Sequence, residues 1–115
     1  MSAHSVYTFK FNEMYKLYIA KIERKGRVSH ELDEVICWLT GYSPNQLHTI
    51  DKNIDMLHFF QNAPSLNPNR SLIAGSICGV KLAEIGDPIM KEIRYLDKLV
   101  DELSKGKPID KILRK

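Results

Sequence analysis

A chain of 115 residues, 43% hydrophobic and 27% charged, has the size and composition of one ordinary globular domain, which excludes fibrous and disordered classes. No apolar run nears the roughly 20 residues that span a bilayer, and the opening MSAHSVYTFKF lacks the apolar centre of a signal peptide, so no membrane contact and a cytoplasmic location are expected. The net charge of +3 is unevenly placed: residues 1–27 carry six basic side chains against Glu13 and Glu23, whereas residues 28–66 carry Lys52 against Glu31, Asp33, Glu34, Asp51 and Asp55.

In chain order, VYTFKF offers the one short alternating stretch, so strand content should be slight or nil. Asn12 can cap a helix running to about Lys25 and stopped by Gly26. Ser29 can cap a second, from His30 to about Thr40, stopped by Gly41. Ser43-Pro44 starts a third, and Gln46 stands at the capping-box spacing from Ser43. Asn53 is placed to cap a short helix through MLHFFQ that ends before Pro64.

Asn67-Pro68 and Asp87-Pro88 are two more cap-plus-proline starts. From Pro88 to Lys105 the apolar residues Ile89, Ile93, Leu96, Val100 and Leu103 recur at helical spacing, and Gly106 closes the helix. The fold class that follows is all-α: a compact bundle of five or six helices over residues 1–115, a single domain.

The blocks LYIAKIERKGR, EVICWLTGY, LNPNRSLIAGSICGV and DPIMKEIRYLDKLVDELSKGK, in this order, resemble the bacterial family called domain of unknown function 2200. The resemblance implies a small, mostly helical bacterial protein and brings no catalytic residues with it.

Several stretches invite functional readings. ICWLTGYSPNQLHTI, residues 36–50, has the outline of a DNA-reading helix-turn-helix, in which Asn45, Gln46 and His48 would face base edges. Against it, the strongest stripe of the first helix is Leu32, Val35, Ile36 and Leu39, rotated from the face the motif needs, and the segment is acidic where phosphates must be held. Nucleic acid is therefore a disfavoured partner, and a DNA-binding regulator over residues 29–52 is the alternative. The basic KIERKGR, residues 21–27, reads as cations at a helix C-terminus.

In NPNRSLIAGSICG the glycine spacing fails the phosphate-loop pattern. As a helix it would align Ser71, Gly75 and Gly79 on one packing face, and its start at Asn67, Asn69, Arg70 and Ser71 is a candidate site for a small anion. His4, His30, His48 and His58 lack the i, i+4 pairing of a helical metal site, and Cys37 and Cys78 form no CxxC pair, so neither a metal nor a cofactor is expected. A Cys-His nucleophile pair depends on spatial proximity that a sequence does not display; buried structural thiols are the default.

The favoured function is a non-catalytic binding or interaction module that self-associates as a homo-oligomer. Its interface would be the stripe Ile89, Ile93, Leu96, Val100 and Leu103, flanked by charges as a helix-helix seam requires. A small-ligand enzyme ranks below the regulator. Trp38 reports on the corner: in a DNA-reading motif its indole would stand in water, whereas in a packed corner another helix covers it. Blue-shifted emission that resists acrylamide, with no salt-dependent binding to random duplex DNA, is the expected result; red, readily quenched emission with salt-sensitive binding would restore the DNA reading.

Overall fold

A computed structural model of the protein describes residues 7–77 and 79–114. Among them are six α-helices: α1 (Phe11–Glu23), α2 (Ser29–Thr40), α3 (Pro44–Thr49), α4 (Met56–Gln61), α5 (Pro88–Ser104) and α6 (Ile109–Ile112). Between α4 and α5 the chain makes a 3-10 turn (Pro68–Leu72), a hairpin of β1 (Ser76–Ile77) and β2 (Val80–Lys81), and a second 3-10 turn (Leu82–Glu84). The two strands are antiparallel, with Ser76 opposite Lys81 and Ile77 opposite Val80. The mostly helical class is as the sequence implies.

The caps divide by how local their chemistry is. Ser43 Oγ accepts the Gln46 N–H at 3.0 Å and Gln46 Oε1 accepts the Ser43 N–H at 2.9 Å, the reciprocal pair the spacing predicts. Asp87 Oδ1 accepts the Met90 N–H at 2.9 Å at the start of α5. Elsewhere the start shifts. Ser29 is the first residue of α2, preceded by Val28, whose N–H donates to Glu31 Oε1 at 3.2 Å.

Lys10, not Asn12, precedes α1, because the backbone of Phe9–Phe11 is bridged to Ile54–Met56: Phe11 N donates to the Ile54 carbonyl and Met56 N to the Phe9 carbonyl, both at 2.9 Å. The same bridge brings Asp55 to the start of α4, where its Oδ1 accepts the His58 N–H at 2.8 Å, and Asn53 turns back onto Asp51 instead.

The helix expected from Asn67 onward is not formed. After five residues of 3-10 turn the backbone reaches Gly75 with φ 98° and later Gly79 with φ 81°, and the Leu82 N–H returns to the Gly75 carbonyl at 3.0 Å. These left-handed φ values belong to a chain doubling back, so Ser71, Gly75 and Gly79 share no helix face.

α5 is the core rod. Ile93 is 1% exposed, and Leu96, Leu99, Val100 and Leu103 are fully buried, with Ile89 packed at the edge. This face lies against α1, α2, α4, α6 and β1 of the same chain, whose contributions include Ile22, Leu32, Ile36, Met56, Phe59 and Ile112. The stripe expected to meet a second copy is thus already covered: Ile93, Leu96, Val100 and Leu103 have no surface left to offer, and a seam of those residues is corrected to the chain's own core. Each fully buried aliphatic side chain contributes about 1.5–3 kcal/mol. Phe59 anchors the far side, stacked on Phe11 at 3.9 Å between ring centroids and on Tyr42 at 4.9 Å.

On α2 the buried face is Leu32, Val35, Ile36 and Leu39, with Thr40 beside it, and Trp38 is half-buried against the core. Gly41 ends this helix with φ 81°, and a Cβ added there would lie 2.6 Å from Ser65 N and 2.7 Å from Ser65 O. Gly26 has φ 79° and nothing within 4 Å. The two glycines separate backbone strain from crowding. Gly26→Ala should cost about 1–2 kcal/mol for the left-handed conformation alone. Gly41→Ala should cost measurably more, because the Ser65 backbone must move as well; equal urea midpoints for the two variants would refute the crowding argument.

Candidate functional site

The 3-10 turn at Pro68–Leu72, the hairpin and the second turn leave a cavity of about 460 Å³ against the N-terminal half of α5. Ile73, Leu82 and Tyr95, all buried, supply its apolar lining, and Ser71, Lys81 and Lys91 its polar lining. A second cavity of about 370 Å³ adjoins it, sharing Ser71, Lys91 and Tyr95 and adding Arg70, Glu92, Ile85, Gly86 and Pro88. Lys91 and Tyr95 are one helical turn apart on α5, which is why both border the two spaces. Leu72 and Val80, each next in sequence to a lining residue, are 54% and 47% exposed.

The anion site expected at Asn67–Ser71 uses its polar groups internally. Arg70 Nε donates to both carboxylate oxygens of Glu92, at 2.9 and 3.0 Å, and Arg70 NH1 donates to the Asn67 carbonyl at 2.9 Å. Asn67 Oδ1 accepts the Asn69 N–H at 2.9 Å, and Ser71 Oγ lies 3.3 Å from the Pro68 carbonyl. A five-residue 3-10 turn also lacks the aligned dipoles of a longer helix. The cations left over are others. Among the described residues neither Lys81 nor Lys91 meets a carboxylate, whereas Arg94 pairs with Asp97 and Lys98 donates to the Ser76 carbonyl. Sequence reading missed both lysines because the hairpin that brings Lys81 to Lys91 was read as helix.

A different polar cluster lies at the α2–α3 corner. His30, Asp33, Glu34 and Cys37 fall on successive turns of one face of α2 and, with Pro44 and His48 of α3, line a cleft of about 370 Å³. Tyr15 of α1 donates from its hydroxyl to Asp33 Oδ1 at 2.5 Å, and His48 Nε2 lies 3.0 Å from Asp33 Oδ2. Burial first, and the Asp33 carboxylate second, push the Tyr15 hydroxyl well above its ordinary range. The Cys37 thiol is raised by the same two causes in the same order.

Of the residues considered for DNA, Gln46 is held in its cap and His48 on Asp33, leaving the exposed Asn45 as the one unengaged side chain. His58 belongs elsewhere, 2.7 Å from Asp55. His4 and Cys78 lie outside the described residues. Among the described residues no group of three or more His, Cys, Asp or Glu is arranged to hold a metal ion.

Two cations of the basic 21–27 stretch are engaged in tertiary contacts, while Arg24 and Lys25 are exposed. Arg27 grips Glu31 through Nε and NH2 and donates through NH1 to the Leu103 and Lys107 carbonyls, at 3.2 and 2.9 Å, while Lys21 reaches Asp101 at 3.5 Å. The Arg27 guanidinium holds the Glu31 carboxyl below its ordinary value of 4.5. A carboxyl depressed in the folded state stabilises fully above its unfolded pKa, and that contribution is lost as pH falls through the folded value. Glu31→Gln should therefore be less stable than the parent by about 0.5–1 kcal/mol at pH 7, with the difference shrinking below about pH 4.5. Parallel stability curves down to pH 3 would remove the pair from the acid response.

A family model, "Uncharacterized protein conserved in bacteria (DUF2200)", matches residues 5–114. The crystal structure of the uncharacterized protein SP1917 resembles this fold with a TM-score of 0.91 at 46% sequence identity, covering 98% of this chain and 93% of that one. No curated protein matches the chain.

Proposed function

The chain belongs to the DUF2200 family of uncharacterized proteins conserved in bacteria, and for this member we propose a binding role: capture of a small anionic molecule with an apolar body in the groove between the hairpin and α5. The observation that carries this reading is the pair of lysines, Lys81 and Lys91, lining the 460 Å³ cavity without a carboxylate partner among the described residues.

The cavity falls within the roughly 300–1,000 Å³ typical of small-ligand sites. Buried Ile73, Leu82 and Tyr95 would take the apolar part of the ligand, and the two ammonium groups its charge. At an effective dielectric near 20, one such charge pair at about 4 Å is worth roughly 4 kcal/mol before desolvation, enough to favour an anion over its neutral analogue. Among the described residues no carboxylate lines the cavity, and Glu92, which lines the adjoining space, is already paired with Arg70.

Hexanoate and hexanol, equal in chain length and different in charge, separate the two halves of the proposal. Hexanoate should raise the melting temperature and hexanol should do so far less. Lys91→Met should weaken hexanoate binding about tenfold, a loss near 1.4 kcal/mol. Equal response to the alcohol and the acid, or an unchanged response in Lys91→Met and Lys81→Met, would sink the assignment.

A further inference from the structure

The α2–α3 cleft holds a constellation that the groove does not use. Cys37 and His48 come from different helices, eleven positions apart in sequence, and both line the same 370 Å³ space. Asp33, one helical turn before Cys37, places Oδ2 3.0 Å from His48 Nε2 and is close enough to the thiol for its charge to be felt there. The Asp33 side chain is 13% exposed and the His48 side chain 61%. A shielded carboxylate thus holds an accessible imidazole at the mouth of a cleft containing a thiol.

The bonding fixes which atoms are free. His48 Nε2 faces Asp33 Oδ2, so in the neutral ring that nitrogen carries the proton and Nδ1 is the basic one. Tyr15 donates to the other oxygen, Asp33 Oδ1, and a half-buried phenol held far from ionisation remains a donor throughout. Tyr15 therefore sets the plane of the carboxylate, and the carboxylate sets the ring. The thiol, raised by burial and by Asp33, rests protonated, so it reacts only when a base removes its proton. Glu34 and His30, the other titratable groups of the cleft, lie on α2 beside it.

We propose that Cys37, His48 and Asp33 form a nucleophilic thiol site that accepts an acyl group from a small ester or thioester. His48 Nδ1 takes the S–H proton, the sulfur forms a bond to the acyl carbon, and the carbon–oxygen or carbon–sulfur bond to the leaving group breaks. The leaving alcohol or thiol departs with the proton from His48, so an ester and a thiol become a thioester and an alcohol. Water, deprotonated by the same ring, then hydrolyses the thioester to a carboxylic acid and restores the thiol. No oxidant, reductant or metal enters this balance. Asp33 stabilises the imidazolium that forms in each half, and Tyr15 is a positioning residue.

The inference is independent of the anion groove, and its test uses the full chain with p-nitrophenyl acetate as the probe. Release of p-nitrophenolate is followed by absorbance, and the acetyl group is located by mass spectrometry. Acetylation should fall on Cys37, and its rate should rise with pH and then level off, as expected when a neighbouring base removes the thiol proton. His48→Gln should slow it at least tenfold and abolish the plateau, Asp33→Asn should slow it less, and Cys37→Ser should leave position 37 unmodified. Tyr15→Phe should shift the pH at which the plateau begins, an effect that loss of a purely structural tie would not produce. Acetyl groups only on lysines or on Cys78, or a Cys37 rate that climbs without a plateau through about pH 8.5 as a simple thiol's does, would overturn the proposal. If His48→Gln fails to fold by circular dichroism, the pH profile of the unmodified protein decides alone.

Discussion

Burial of one face of α5 is the constraint on which the other elements depend. Ile93, Leu96, Leu99, Val100 and Leu103 make a seam about three turns long, and four other helices must reach it at once. Their polar flanks then lock the rotation of the rod. Tyr18 donates to Asp97, Lys21 and Lys105 meet Asp101, and Arg114 grips Glu102 with two nitrogens. The half-buried Asp97 and Asp101 and the buried Glu102 are thus answered from α1, from the end of α5 itself and from the C-terminal segment, which offsets the cost of drawing charge toward the core.

The two surfaces with chemical character arise where that packing runs out. Near its N-terminus α5 is covered by a hairpin and two 3-10 turns instead of a helix. These short elements bring backbone and small side chains to the rod, leaving the space that Lys81 and Lys91 border. At the α2–α3 corner the opposite holds. Gly41 lets the chain turn tightly against Ser65, so α3 is set close across α2 and His48 comes within reach of Asp33. The unengaged charges differ in sign between the two places, with lysines in the groove and Glu34 in the cleft.

The likeness to the crystal structure of SP1917, at 46% identity, extends this architecture to a second chain. The functional weight therefore rests on side chains this chain places itself. In the cleft, the phenol hydrogen-bonds to a carboxylate whose other oxygen lies 3.0 Å from an imidazole, so three helices meet at one acid. In the groove, the ammonium groups owe their availability to what Arg70 and Glu92 do for each other.

Sequence alone determined whatever rests on neighbours a few residues apart. The Ser43–Gln46 box, the Asp87-Pro88 start, the stop at Gly41 and the amphipathic period of α5 are each set by local hydrogen bonding or by 3.6-residue geometry, and all were legible. The face of α2 could likewise be read from Leu32, Val35, Ile36 and Leu39. Tertiary structure decided the rest. A heptad-like stripe is the same in a monomer core and in a dimer seam, and only the arrival of α1, α2, α4 and α6 assigned it to the core. Lys10 and Asp55 displaced Asn12 and Asn53 from the helix starts because a backbone bridge joins positions 45 residues apart, which no local propensity encodes. Glycines at 75 and 79 suit a packing face or a hairpin equally until φ is known. The meeting of Tyr15, Asp33, Cys37 and His48 needed three helices to be placed first, since a site assembled across helix faces has no spacing of its own in the chain.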